Sequence, residues 1–177
     1  MLNLLYVLIG LGILGLLVMI VYAKLKPTDN STIVVAEKTA LQLESMSDKD
    51  AVFSLQMPLR NIGEQDSAIT DVLARPYLPQ EQFPDAVCYG HVETTDRRRN
   101  DNYFEALILP AHKERMLVVT LHFFAATGKS MKSILENMVD MDVALYFDGV
   151  GRKACYTKKV FFTVQAIEVK ALVGGAH

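Results

Sequence analysis

The chain has 177 residues, 51% of them hydrophobic, with 18 basic against 20 acidic side chains and a net charge of −2. That length fits one domain plus an appendage, and the near-neutral balance excludes a dedicated nucleic-acid binder, which needs a net basic face. Cys88 and Cys155, the two cysteines, allow at most one disulfide and are too few for a paired-cysteine metal site; they read as small, partly buried hydrophobes.

Residues 2–23 carry no charge, and every basic and acidic residue lies at or beyond Lys24. About 20 apolar residues at 1.5 Å rise cover the ~30 Å hydrocarbon core of a bilayer, so residues 1–26 are expected to form a single transmembrane anchor. A cleaved signal would want a basic start and an apolar core of only ~7–15 residues. Val21-Tyr22-Ala23 is a passable cleavage site, but the run is too long, and the anchor reading wins. Tyr6 and Tyr22 stand near its two ends, where amphipathic rings prefer the membrane interface. Lys24 and Lys26 follow at once, and the positive-inside bias places the rest of the chain in the cytoplasm rather than outside it. Gly10, Gly12 and Gly15 spell the dinucleotide fingerprint, which works only between a strand and a helix in water; within a span it is spurious.

Residues 27–37 read as a juxtamembrane linker and possible first strand, with Pro27 stopping the helix and Ser31 exposed. Residues 38–177 form the domain proper, where the dominant period is two. Phe53, Leu55, Met57 and Leu59 alternate with polar neighbours over 51–60, as a half-buried strand requires. The next strand, 67–75, has Ala68, Thr70, Val72 and Ala74 on one face. Further strands are expected at 86–93, 103–109, 116–125, 142–148 and 158–169, with an earlier one near 32–43; their Val, Phe, Tyr, Ile and Thr suit a pleated surface. Asn61 to Asp66, with Asn61 and Gly63 supplying turn geometry, joins two of them. Residues 110–115 link two more, and 148–152 fit a hairpin loop before the last. One helix is expected over 129–140, with Met131, Ile134, Leu135 and Met138 on one face.

Seven or eight strands and one short helix describe a mainly β fold, a β-sandwich. Through the alternating strand 51–60, the turn Asn61-x-Gly63 and Ile69-x-Asp71-Val72 on the next strand, the chain resembles immunoglobulin-like and fibronectin-like domains over roughly residues 38–169. The resemblance is one of plan only, because the chain has no tryptophan and its cysteines fall on candidate strands four and eight. It implies that the short helix sits where the chain crosses between sheets before the final hairpin. It also implies a domain that binds or braces other proteins.

No local pattern completes a catalytic set. Gly128-Lys129-Ser130 follows a strand and precedes a helix, but Phe123 stands where a P-loop needs glycine. His91, His112 and His122 lie on separate segments and His177 ends the chain, without zinc-ligand spacing; His122, in an apolar strand, reads as a core histidine. Cys88 and His91 lie on opposite faces of one strand, so no base activates that thiol. Asp140 and Asp142 straddle the helix end and read as capping residues. Asn30-Ser31-Thr32 matches a glycosylation sequon beside the membrane and is read as chance. Arg97, Arg98 and Arg99, flanked by Asp96 and Asp101, form the densest basic run: a solvated loop or an interaction surface.

The sequence therefore points to a non-enzymatic, membrane-tethered interaction or scaffolding module. No cofactor or nucleic acid is expected; the partners are the lipid bilayer and another membrane or envelope protein. The alternatives are a subunit of a multi-component secretion or transport assembly, and an enzyme built around His91 and Arg97.

Overall fold

Leu2–Leu25 forms one 24-residue α-helix, α1, roughly 36 Å long at 1.5 Å per residue. Its stretch Tyr6–Leu25 is long and apolar enough to cross a membrane, and none of it is buried. The computed structural model describes residues 2–99, 101, 103–151 and 154–175.

The described residues beyond α1 form nine strands in two antiparallel sheets. In chain order they are β1 (Ser31–Ile33), β2 (Gln42–Met46), β3 (Asp50–Asn61), β4 (Ser67–Tyr77), β5 (Ala86–Thr94), β6 (Leu107–Leu109), β7 (Glu114–Ala125), β8 (Met141–Val150) and β9 (Tyr156–Val164). One sheet runs β1-β3-β7-β5, with β2 also on β3; the other runs β6-β4-β8-β9. With β1 and β2 taken as the first strand and β6 set aside, this is the strand order of immunoglobulin sandwiches. Helix α2 (Met131–Glu136) sits at the crossing from β7 to β8, before the β8–β9 hairpin, as the resemblance implied.

The core lies between the sheets because alternate residues of facing strands point inward. Phe53, Leu55, Met57 and Leu59 of β3 and Leu117, Val119, Leu121 and Phe123 of β7 meet Val72, Val143, Leu145, Phe147 and Phe162 from the other sheet. Phe53 and Phe123 pack edge to face at 5.7 Å, a geometry worth about 0.5–1.5 kcal/mol beyond area burial. In β4 a bulge between Ile69 and Asp71 shifts the alternation, so the inward set is Ile69, Val72 and Ala74 and not the face of Ala68 and Thr70. Such an extra residue leaves the ladder and reverses the pleat.

Three strand expectations are corrected. The early strand at 32–43 is two, β1 and β2, separated by a 3-10 turn at Val35–Glu37. The break lies opposite Pro58, whose carbonyl accepts from Val34 N at 2.9 Å but which has no N–H to offer on that same side. Of 103–109 only Leu107–Leu109 joins a sheet, because Phe104 is buried and Glu105 pairs with Arg97 before it. The final strand ends at Val164 and becomes a second helix, α3 (Ala166–Gly174), started by Asp140, whose Oδ1 accepts from Ala166 N at 2.7 Å. Among the described residues the count beyond α1 is thus nine strands and two short helices, against seven or eight and one.

Helix α2 is shorter than expected, but its apolar face is as read: Met131, Ile134, Leu135 and the following Met138 are all buried. Ser130 caps it, its hydroxyl accepting from Ser133 N, and Lys129 pairs with Asp85 at 2.7 Å. Gly128-Lys129-Ser130 is therefore a capped helix start. Val169 and Val173 of α3 are buried, and α2 and α3 pack together to close the end of the sandwich away from α1. Ser31 is buried in β1, contrary to its reading as an exposed linker residue. Arg152 of the expected hairpin loop and the terminal His177 lie outside the described residues.

Candidate functional site

Strand register decides which side chains leave the core. On β5 and β7 the pairs Tyr89↔His122, His91↔Thr120 and Glu93↔Val118 lie on the face turned away from the other sheet. There, beside the β4 segment that runs on past β6, the surface folds into a cleft of about 480 Å³. Leu73 and Ala74 of β4 form one side, Tyr89, Tyr103 and Phe124 the aromatic walls, and His91, Thr120 and His122 the polar floor. The two sheets touch at its base, where a Cβ on Gly90 would overlap the carbonyl and side chain of Ala74; only glycine allows β5 to cross so close.

The walls are open to solvent: Tyr89 is 64% exposed, Tyr103 60% and Leu73 55%. Tyr89 meets Phe124 edge to face at 5.9 Å, and His122 lies against Phe124 with ring centroids 4.0 Å apart. His122 Nε2 is 3.4 Å from Asp50 Oδ2. His122 is therefore a half-exposed cleft residue and not a core histidine. Asp50 is held below the ordinary carboxylate range by the Ser47 hydroxyl first and His122 second.

Behind His91 lies Glu93, 4% exposed, with His91 Nε2 3.1 Å from its Oε1. This carboxylate anchors the arginine run. Arg99 N donates to Glu93 Oε1 at 2.7 Å and Arg98 Nε to Oε2 at 3.2 Å. Arg98 also reaches Glu44 on β2 at 3.6 Å, so the segment after β5 folds back across the sheet. Arg97 pairs with Glu105 and Arg99 with Asp101. Every guanidinium of Arg97, Arg98 and Arg99 faces a carboxylate, which makes the run a locally neutral, half-exposed loop.

Chemically the cleft offers aromatic faces, two imidazoles and the Thr120 hydroxyl, which is buried without a partner. No hydrogen bond joins that hydroxyl to an imidazole, so nothing activates it as a nucleophile. Cys88 points to the other face of β5, in register with Phe123, and burial pushes its thiol well up. Cys155 is exposed, and the two thiols are free. Among the described residues no three His, Cys, Asp or Glu side chains come together to hold a metal ion. The arrangement suits recognition of a side chain or small group, in the manner of concave sites with apolar walls and a few convergent polar atoms.

Of the residues expected at a membrane interface, Tyr6 and Tyr22 are exposed on α1, and Lys26 Nζ lies 5.1 Å from the Tyr22 ring centroid. Lys24 is exposed in the last turn. The cleft itself was missed in the sequence. Its one signal is that outward positions of β5 and β7 carry Tyr89 and Phe124, where a solvated strand face would carry polar residues.

No protein-family model matches the chain, and no curated protein matches it. Among solved structures it is similar to the GAE domain of GGA2p from Saccharomyces cerevisiae, at 10% identity and a TM-score of 0.31, over 72% of this chain and 99% of that one. The yeast GGA1 GAE domain is similar at 6% identity and a TM-score of 0.31, over 70% of this chain and 97% of its own. Overlays this loose carry no argument about this chain, and the sandwich assignment stands on its own sheets.

Proposed function

We propose that this chain is a non-enzymatic, membrane-tethered protein-interaction module, with α1 as a single span and the cleft as the docking surface. The supporting observation is the cleft's aromatic rim. Tyr89, Tyr103 and Leu73 are large side chains more than half exposed around a concavity, and such tyrosines anchor protein interfaces. The partner is a protein of the same membrane or envelope. The test is capture from native membranes with the full chain against the double variant Leu73→Ala, Tyr89→Ala. Because both side chains are exposed, melting should hold while a partner retained by the parent is lost. Equal capture by both would contradict the cleft as the docking surface.

A second reading, a subunit of a multi-component membrane assembly, is favoured by α1 itself. Cβ atoms at Gly10, Gly12 and Gly15 would meet nothing within 4 Å, leaving a shallow surface that another helix can approach closely. Native sizing after mild detergent extraction separates the two readings. The positive-inside bias of Lys24 and Lys26 supports a domain on the cytoplasmic side. The exposed Cys155 thiol reports on this side assignment. A membrane-impermeant thiol reagent should leave it unlabelled in intact cells and label it after lysis; labelling without lysis would reverse the orientation.

A further inference from the structure

Residues 28–31, which the sequence presents as a linker, are fastened into the sandwich. Glu64 N donates to Thr28 O at 3.2 Å and Ile62 N to Asn30 O at 2.9 Å. Asn30 N donates to Oδ1 of Asn61 at 3.1 Å, and the buried Asn61 also holds the Leu109 carbonyl through Nδ2 at 3.1 Å. On the other side Tyr156 Oη donates to Asp29 Oδ2 at 2.6 Å, and Lys158 Nζ to Ser31 O at 2.6 Å. With its proton on Asp29, Tyr156 Oη accepts from Ser67, 3.0 Å away; burial first, then the Asp29 carboxylate, pushes this phenol up.

Three glycines make the socket. A Cβ at Gly63 would overlap the Thr28 and Asn30 backbone, one at Gly151 the Asp29 carboxylate, and one at Gly149 the Tyr156 ring. None has positive φ, so these glycines, which the sequence suggests as turn formers, serve by leaving space.

The consequence is a matter of chain length. Thr28 lies three residues beyond Leu25, the last residue of α1, so it stands at most about 10 Å from the helix end. The headgroup layer on one side of a bilayer is about 5–7 Å deep. The turn at 61–64 is hydrogen-bonded to Thr28 and Asn30. The turn at 110–113 is stitched to it in turn, through Asn61 N to Lys113 O at 2.9 Å and His112 Nε2 to Glu64 Oε2 at 3.0 Å. Even at full reach Thr28 clears that layer by only about 3–5 Å, which keeps these turns beside the headgroups. Ile62 is 55% exposed at the first, and Lys113 is exposed at the second.

We propose that this end of the sandwich rests on the lipid surface, with Ile62 set among the headgroups and Lys113 beside their phosphates. The inference rests on reading α1 as a span. The domain then stands at a fixed orientation and does not swing on a tether, and α2 and α3 mark its far end.

The test uses the full chain carrying Cys155→Ser in phosphatidylcholine–phosphatidylserine vesicles, with single cysteines added by Ile62→Cys, Lys113→Cys, Leu14→Cys or Glu136→Cys. Each is labelled with an environment-sensitive fluorophore and challenged with lipids bearing a nitroxide on the headgroup or deep in the acyl chain. The Cys155→Ser parent supplies the background from Cys88. The expected result is loss of fluorescence at 62 and 113 to the headgroup nitroxide, at 14 to the deep one, and at 136 to neither. Quenching at 14 with 62 and 113 as bright as 136 would overturn the proposal and leave the anchor standing. No quenching at 14 would remove the anchor, and the proposal with it.

Discussion

Glu93 shows how one residue organises the outer surface of a sheet. Burial alone would raise its carboxyl, but the Arg99 amide, His91 and Arg98 together outweigh that and hold it below the ordinary value of 4.5. A carboxyl lowered in the folded state contributes stability that is fully present above pH 4.5 and is lost as pH falls through the folded value. Glu93→Ala should release the 97–105 segment at a cost of about 1–3 kcal/mol, the usual penalty for stranding buried polar partners. The check is limited trypsin digestion at neutral pH, with faster cutting at Arg97, Arg98 or Arg99 in the variant; parent-like cutting would mean that the segment is held by something else. The three arginines are easily seen in the sequence, but their meaning is not. Asp101 is close enough in sequence to suggest pairing, whereas Glu44 lies more than fifty residues away and meets Arg98 only once β2, β3, β7 and β5 are side by side.

At the scale of elements, what could be read depended on whether the determining contact was local. Strands β3, β7 and β8 announce themselves because alternation is a property of consecutive residues. The same logic failed at β4, where the extra residue at Thr70 shifts the pleat, and at β1 and β2, which are split opposite Pro58, distant in sequence. Helix α3 was hidden for the same reason: Val160, Phe162 and Val164 continue smoothly into Ile167 and Val169, and the Asp140 that starts the helix sits on another connection. Because Val169 and Val173 are fully buried, at about 1.5–3 kcal/mol each, ending the chain after Gln165 should lower stability by roughly 3–6 kcal/mol. Denaturant unfolding measures this as a lower midpoint; an unchanged midpoint would show that α3 adds nothing to the packing of α2. The cleft was hidden at this scale too, since it exists only where β4, β5 and β7 come together.

For the molecule as a whole, the segregation of charge in the sequence becomes a division of labour. One end is a helix of which no residue from Tyr6 to Leu25 is buried; the other is a closed sandwich with a continuous core. An apolar surface of that length, left bare in water, would drive aggregation and needs a cover, which the proposed function assigns to a bilayer. That requirement is the premise of the tethered module and of its seating on lipid. The direct measurement is flotation of native membranes after alkaline carbonate extraction, comparing the full chain with one beginning at Pro27. The full chain should float with the lipid, while the shorter chain should stay in the soluble fraction with a β-rich circular dichroism spectrum. A full chain released by carbonate, or a shorter chain that floats as the full one does, would contradict the assignment of α1 as the anchor.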